Sequence, residues 1–192
     1  YLKNPNSVTD SIVYAQSNLN ENWKNGSVNL NMRHQFDTAG RELTADLDYV
    51  RYDIHNNQAF ANTTYTPKWE ARYVENLSGD LPSVINIYSG KIDYTHPLQK
   101  DAKLEMGWKS SYVSTDNKAN YFNGPEGNKQ IDYEKTNFFQ YKENINAAYI
   151  SLNKQFNKKW GVQAGLRYEN TSYRGHQYGN PVKGDSSFKR SY

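Results

Sequence analysis

Cysteine is absent from the 192 residues, which excludes disulfide scaffolds, thiolate metal sites and cysteine nucleophiles. Long apolar runs are absent too. No segment approaches the roughly 18 consecutive apolar residues of a transmembrane helix. The opening residues Tyr1, Leu2, Lys3, Asn4 and Pro5 lack the charged start and apolar run of a signal peptide, and none is expected within the chain. No nucleophile elbow, P-loop, H-E-x-x-H or EF-hand pattern occurs, so no catalytic residues, cofactor or enzyme activity are expected. The four histidines His34, His55, His96 and His176 are dispersed without metal-ligand spacing, and no metal site is expected. Basic residues number 23 against 20 acidic ones. They form no block, so a nucleic-acid partner has no support.

What the chain does have is aromatic rings, 17 Tyr, 7 Phe and 4 Trp. This is too many for a disordered segment. They sit in a polar background, with 36% hydrophobic residues and a mean hydropathy of -1.00. Membrane β-barrels have this composition because half of each strand faces a wet lumen. With no membrane helix, a closed barrel is also the only spanning structure that satisfies its own backbone in lipid. A soluble, carbohydrate-binding β-sandwich fits the same composition.

Periodicity is that of strands. Three short polar turns organise it: Asp37, Thr38, Ala39 and Gly40; then Gln99, Lys100, Asp101 and Ala102; then Asn157, Lys158, Lys159 and Trp160. The first joins alternating segments 28–36 and 41–55, the second 84–98 and 103–122, the third 144–156 and 161–174. Each is a hairpin signature. A further strand is expected around residues 9–19, turning through 21–26. Residues 56–82 and 123–136 read as long, polar, irregular segments. Short turns at one end and long loops at the other are the layout of a membrane barrel, and the repeat of roughly 60 residues is one hairpin plus one outer loop. The expected fold is all-β: about seven long antiparallel strands of a larger transmembrane barrel, with short periplasmic turns and long outer loops.

The apolar face carries Leu30, Met32, His34 and Phe36; Leu43, Ala45, Leu47 and Tyr49; Ile92, Tyr94 and Leu98; Leu104, Met106 and Trp108; Ala148, Ile150, Leu152 and Phe156; Val162, Ala164, Leu166 and Tyr168. A basic side chain at the middle of a lipid-facing surface costs about 2–4 kcal/mol. Reversing the phase would expose Lys103, Glu105, Lys109, Arg167 and Glu169 to lipid, so the apolar set is the buried or lipid-facing one. Arg51 and Lys154 are expected to reach an interface, Phe156 and Trp160 to form an aromatic girdle that Phe36 extends. His34 has no evident role beyond a place near the rim.

Several of these residues resemble a known family. The runs Lys91-Ile-Asp-Tyr-Thr-His-Pro-Leu98 and Lys103-Leu-Glu-Met-Gly-Trp-Lys109, then Tyr141-Lys-Glu-Asn-Ile-Asn-Ala-Ala-Tyr149 and Trp160-Gly-Val-Gln-Ala-Gly-Leu-Arg-Tyr-Glu169 with Thr171, are similar to the barrel of Bacteroidetes-type outer-membrane receptors related to TonB-dependent transporters. Phe36-Asp-Thr-Ala-Gly-Arg-Glu-Leu43, ending in Asp48 and Tyr49, is similar as well. The resemblance spans roughly residues 28–176 and implies a 22-stranded barrel behind a plug domain. Residues 1–192 are then an incomplete section of its wall, with plug and signal peptide not identified here. It implies an outer-membrane location, uptake of an unidentified ligand, coupling to TonB through other parts of the protein, contact with membrane lipid and a possible surface lipoprotein partner. A non-transport barrel and the soluble sandwich stand as alternatives.

Among candidate sites, Asp46 and Asp48 share one strand face and could bind a cation or act as acid and base. A hydrated lumen wall with basic neighbours such as Arg33 explains them more simply, and Arg167 with Glu169 reads as an ordinary ion pair. Gly90, Gly107, Gly161 and Gly165 read as relief of crowding. Aromatics in or beside the expected outer loops are the ligand-contact candidates, chiefly Tyr65, Trp69, Tyr73, Tyr121 and Tyr133. Such rings suit stacking on sugars, peptides or chelates, and equally suit loops packing on one another.

Overall fold

The structure, a computed structural model, describes residues 1–3, 5, 9–99 and 101–192. Its strands are β1 (Leu2–Lys3), β2 (Thr9–Gln35), β3 (Glu42–Tyr65), β4 (Ala71–Leu98), β5 (Ala102–Asn123), β6 (Gln130–Ile131), β7 (Asn137–Gln155), β8 (Gly161–Tyr178) and β9 (Ser186–Ser191). They form one antiparallel sheet in the order β1-β2-β3-β4-β5-β7-β8-β9, with β6 added beside β5. Six strands are long, of 18 to 28 residues, and three are short. The count differs from seven long strands because residues 9–19 and 28–36 belong to one strand. Asn25 and Gly26 make no turn; they pair with Tyr52 and Arg51 in an unbroken ladder that runs from Gln35↔Glu42 to Ile12↔Tyr65. Most of residues 56–82 is likewise strand rather than irregular loop. β3 and β4 stay paired up to a tight turn at residues 66–70. Polar side chains on both faces hide a strand from a search for apolar alternation, but the backbone ladder does not need them.

The turns share one device. A side-chain oxygen at the start of each accepts two backbone amides, which fixes the bend. Asp37 Oδ1 accepts from Ala39 at 3.0 Å and Arg41 at 3.1 Å. Asn157 Oδ1 accepts from Lys159 at 2.8 Å and Trp160 at 3.0 Å. Thr66 Oγ1 does the same for Lys68 and Glu70. Gly40 supplies the left-handed conformation, φ +96°, that closes the first turn. The second expected turn includes Lys100, which lies outside the described residues.

This sheet has no second layer and almost no core: Ile12 and Ala147 are the buried hydrophobic residues among those described. A sandwich would bury one face of each sheet against another; here Leu30, Leu47, Ile92, Trp108, Ile150 and Leu166 all stand exposed. The soluble sandwich is therefore excluded. These residues line up across the strands, as in His34–Leu43–Tyr94–Met106–Ile150–Leu166 and, one line further, Met32–Ala45–Ile92–Trp108–Ala148–Tyr168. On β5 the apolar band runs from Ala102 to Tyr112, about 33 Å of strand and about 24 Å of height at a 45° tilt. That matches the roughly 25 Å apolar belt of an outer-membrane barrel.

Both edges of the band drift together. The first turn follows Gln35↔Glu42; Glu42 pairs with Thr95, and β4 continues three residues further, to Leu98. Ala102 pairs with Lys154, and β7 continues one more, to Gln155. The turn edge thus steps four residues between β2 and β8. The upper edge steps equally: Tyr49 lies on one register line with Ser172, and the continuous outward apolar run of β8 ends at Tyr168, four residues lower. A band level in the membrane and oblique to its strands is the geometry of tilted barrel strands.

The residues expected at the edges are there. Arg51 is the first outward residue above Tyr49 and lies 3.7 Å from Asp53. Lys154 Nζ sits 6.0 Å from the centre of the Phe156 ring beside the third turn. His34 meets Phe36 edge-on at 4.6 Å, and Phe36 meets Tyr94 at 6.1 Å, which places His34 in the lower aromatic rim. Placing Arg at Ile150 in the full-length barrel, refolded into lipid vesicles, should cost about 2–4 kcal/mol of stability in urea titrations. Ser151→Arg, one residue on and facing inward, should cost little. Equal costs would refute this assignment of faces.

Candidate functional site

Alternation changes phase at the top of the apolar band. Below it the outward face is apolar and the inward face polar; above it the outward face turns mainly polar and large apolar and aromatic side chains enter the inward face. The change is made by apolar doublets, Tyr49-Val50, Ile87-Tyr88 and Tyr112-Val113, which lie side by side. Tyr49, Tyr88 and Tyr112 form one outward register line, and Val50, Ile87 and Val113 the inward line next to it. Tyr49 and Tyr88 stack at 4.9 Å and Tyr112 follows at 6.3 Å. Rings with polar tips belong at a membrane–water boundary. Tyr49 Oη donates upward to Asn86 at 3.0 Å.

Above that line the inward wall carries Tyr52, Ile54 and Ile85, then Phe139, Tyr141 and Tyr173, all half-buried. On β7–β9 the rings gather around Gly175. Tyr141 lies 6.1 Å from Tyr173, and Tyr173 lies 6.0 Å from both Phe188 and Tyr192. A Cβ on Gly175 would meet the Phe188 ring at 2.3 Å and Phe139 at 3.1 Å, so only glycine lets these rings cross the strand. Gly79 serves Tyr121 in the same way, with 3.0 Å to its ring. The result is a wide aromatic surface facing the lumen from above the membrane. Its signal was present in the sequence as the apolar doublets, but only cross-strand register aligns them.

Below the surface the inward wall is polar and charge-compensated. Arg33 pairs with Glu42 at 2.7 Å, Lys103 with Glu105 at 2.6 Å, and Arg167 with Glu169 at 2.6 Å. Asp48 accepts from Asn29 at 2.6 Å and Ser89 at 3.0 Å, so Arg33 is not the partner of the Asp46 and Asp48 pair. Tyr149 lies across Gly107, where a Cβ would come within 2.4 Å of the ring, and its hydroxyl bonds Asp93. Among the described residues no group of three His, Asp or Glu side chains could hold a metal ion.

The five ligand-contact candidates do not converge. Tyr65 and Trp69 meet at 5.5 Å at the tip of the β3–β4 hairpin, where Trp69 takes φ 66°. Tyr73 is exposed near the same tip. Tyr121 lies lower, on the inward wall opposite Gly79, and Tyr133 stands exposed in the β5–β7 loop.

That loop is latched to the one after β8. Asp132 accepts from Asn123 at 3.0 Å, from the amides of Glu134 and Lys135 at 3.0 and 3.2 Å, and from Lys135 Nζ at 2.5 Å. The Lys135 ammonium, with Asn123 and the two amides, holds the Asp132 carboxyl below its ordinary pKa. Asn180, 2% exposed, donates to the carbonyls of Tyr133 and Thr136, both at 2.6 Å. Its oxygen accepts from Val182 at 2.9 Å and Lys183 at 3.0 Å.

A single tilted sheet with a lipid-height apolar band, a polar inner wall and aromatic edges defines a section of an outer-membrane β-barrel. The outer membrane protein beta-barrel family matches residues 34–192, and the chain belongs to that family. No curated protein matches it. Among solved structures, the ferric yersiniabactin uptake receptor FyuA from Yersinia pestis is similar at 10% identity and a TM-score of 0.39, over 80% of this chain and 25% of that one. The porin KdgM, solved with disordered oligogalacturonate, gives 11% identity and a TM-score of 0.14, over 86% and 99%. The chain spans about a quarter of the receptor's length. Likenesses this distant carry no argument about function.

Asn180→Ala should loosen both loops by about 1–3 kcal/mol, since it strands the buried Thr136 carbonyl and the partly buried Tyr133 carbonyl; faster amide exchange over residues 130–136 measures it. Because the Asp132 pKa is lowered by folding, its contribution is full above the ordinary carboxylate value and is lost as pH falls through the lowered one. Amide protection at Glu134 and Lys135 should drop over that acid range in the wild type. In Asp132→Asn it should already be low at neutral pH.

Proposed function

We propose that this chain is part of the wall of a TonB-coupled uptake receptor, in which the aromatic surface above the membrane captures a ligand on its way to the lumen. The observation behind this reading is the change of phase. A barrel needs its apolar residues outward only where lipid is. Above the lipid, an apolar inward face serves what enters from outside. Stacking on Tyr141, Tyr173 and Phe139 suits ligands with flat or apolar faces, and the hydrated, charge-compensated wall below offers them a path with no tight apolar hold. The mechanism has no covalent step. TonB and the plug would supply energy and gating from outside these residues, as the resemblance to TonB-dependent receptors implies. Tyr65, Trp69 and Tyr73 at the hairpin tip would make the first contact.

The second reading is a barrel that serves envelope architecture, which the latched outer loops would also suit. Growth of the native organism on a panel of single iron, vitamin and oligosaccharide sources separates the two. With the full-length receptor deleted, growth on one source should fail, as it should when TonB is deleted. Tyr141→Ala with Tyr173→Ala should raise the concentration of that source needed for half-maximal growth about tenfold, the size expected for one or two lost ring contacts. Unchanged growth across the panel would favour the architectural barrel.

A further inference from the structure

On the outward face above the apolar band, Lys142, Arg174 and Lys189 stand directly opposite one another on three adjacent strands, in the pairs Lys142↔Arg174 and Arg174↔Lys189. Like charges at cross-strand positions repel, and neighbouring strands lie only about 4.8 Å apart. Nothing within the described residues relieves this. The residues flanking them on the same face of these strands are Gln140, His176 and Ser187 on one side and Asn144, Ser172 and Ser191 on the other. None is a carboxylate. Asp116, across from Gln140 on β5, already accepts from Tyr178 at 3.2 Å. Among the described residues nine other lysines and arginines form ion pairs with carboxylates, and what sets this trio apart is that three unpaired cations face one another directly.

Position indicates what supplies the missing charge. Arg174 lies six residues above Tyr168, where the continuous apolar band of its strand ends, which is about 20 Å along the strand and about 14 Å along the membrane normal. The trio is therefore outside the hydrocarbon, on the side of the β5–β7 and β8–β9 loops, facing away from the lumen. The groups that reach an outward face at that height belong to lipids of the outer leaflet. We infer that Lys142, Arg174 and Lys189 form a binding site for the phosphate groups of an outer-leaflet glycolipid. Ser172, Asn144 and His176 add hydrogen-bond donors around them. Arginine takes phosphate oxygens in bidentate fashion while lysine acts as a point charge, so Arg174, at the centre, orients the headgroup. This site is independent of any role in uptake.

The test uses the full-length barrel in nanodiscs of phosphatidylcholine, with and without lipid A, reading the lipid A retained by native mass spectrometry. The wild type should retain lipid A in preference to its dephosphorylated form. The triple variant Lys142→Gln, Arg174→Gln, Lys189→Gln should bind it on the order of a hundredfold more weakly, at about tenfold or less per cation. Lys24→Gln with Lys118→Gln, which removes outward cations elsewhere, should change nothing. No preference for the phosphorylated form by the wild type overturns the proposal, and that comparison needs no variant to fold. Equal retention by the triple variant overturns it as well. If inorganic phosphate in lipid-free detergent binds the wild type and abolishes lipid A retention only at the level of a free-anion site, with no gain from the acyl chains, the site takes free phosphate and the lipid assignment fails.

Discussion

Everything in this structure hangs from the antiparallel backbone ladder. In hydrocarbon an unpaired amide or carbonyl has no water to turn to, so a strand can cross only if each neighbour satisfies it. The ladders answer that demand over great lengths. β2 and β3 pair without interruption from the first turn to Ile12 and Tyr65, and β4 follows β3 over nearly the same length. With the backbone closed in this way, no core of side chains is required. Two buried hydrophobic residues among those described would not hold a soluble domain together. Here lipid takes the place of the second layer that a sandwich would supply.

Because the ladder accepts any side chain, the side chains are free to record the surroundings. They do so height by height. The outward face is apolar for one membrane thickness and then polar, and the band slides along the sheet by the same four residues as the turns do. The tyrosine line at Tyr49, Tyr88 and Tyr112 marks where lipid ends, and Arg51 next above it keeps its charge in water. Inward, opposite charges pair across neighbouring positions, as in Arg33 with Glu42, so the wall is hydrated without a large field of one sign. Where large rings must lie across the sheet, a neighbouring strand yields space with glycine, as Gly107 does for Tyr149 and Gly175 for Phe188.

Above the membrane the strands continue well beyond what crossing requires, and their inward face turns aromatic. Length and phase together make a rigid, upright wall. A ligand surface built on paired strands holds its shape better than one built on loops, and the β5–β7 and β8–β9 loops are tied to each other through Asn180 and Lys183. The outward face of the same region is hydrophilic and, on β7–β9, cationic without compensation. Inside and outside of one sheet are thus prepared for different contacts, which a period of two residues permits at no structural cost.

All-β architecture, the first and third short turns, the lipid-facing set and the interfacial positions of Arg51, Lys154, Phe156 and Trp160 were determined by the sequence alone, because alternation and turn chemistry are local. The length of the strands was not. Asn20, Asn22 and Asn57 carry no apolar alternation, and only pairing with a partner makes strands of them; Asn25 and Gly26 look like a turn until Arg51 and Tyr52 lie opposite. Nor does one segment reveal the aromatic surface or the cationic trio. Tyr141, Tyr173 and Phe188 are far apart in the chain, as are Lys142, Arg174 and Lys189. Register between strands is set by the whole ladder and its turns, and it alone decides which distant residues become neighbours.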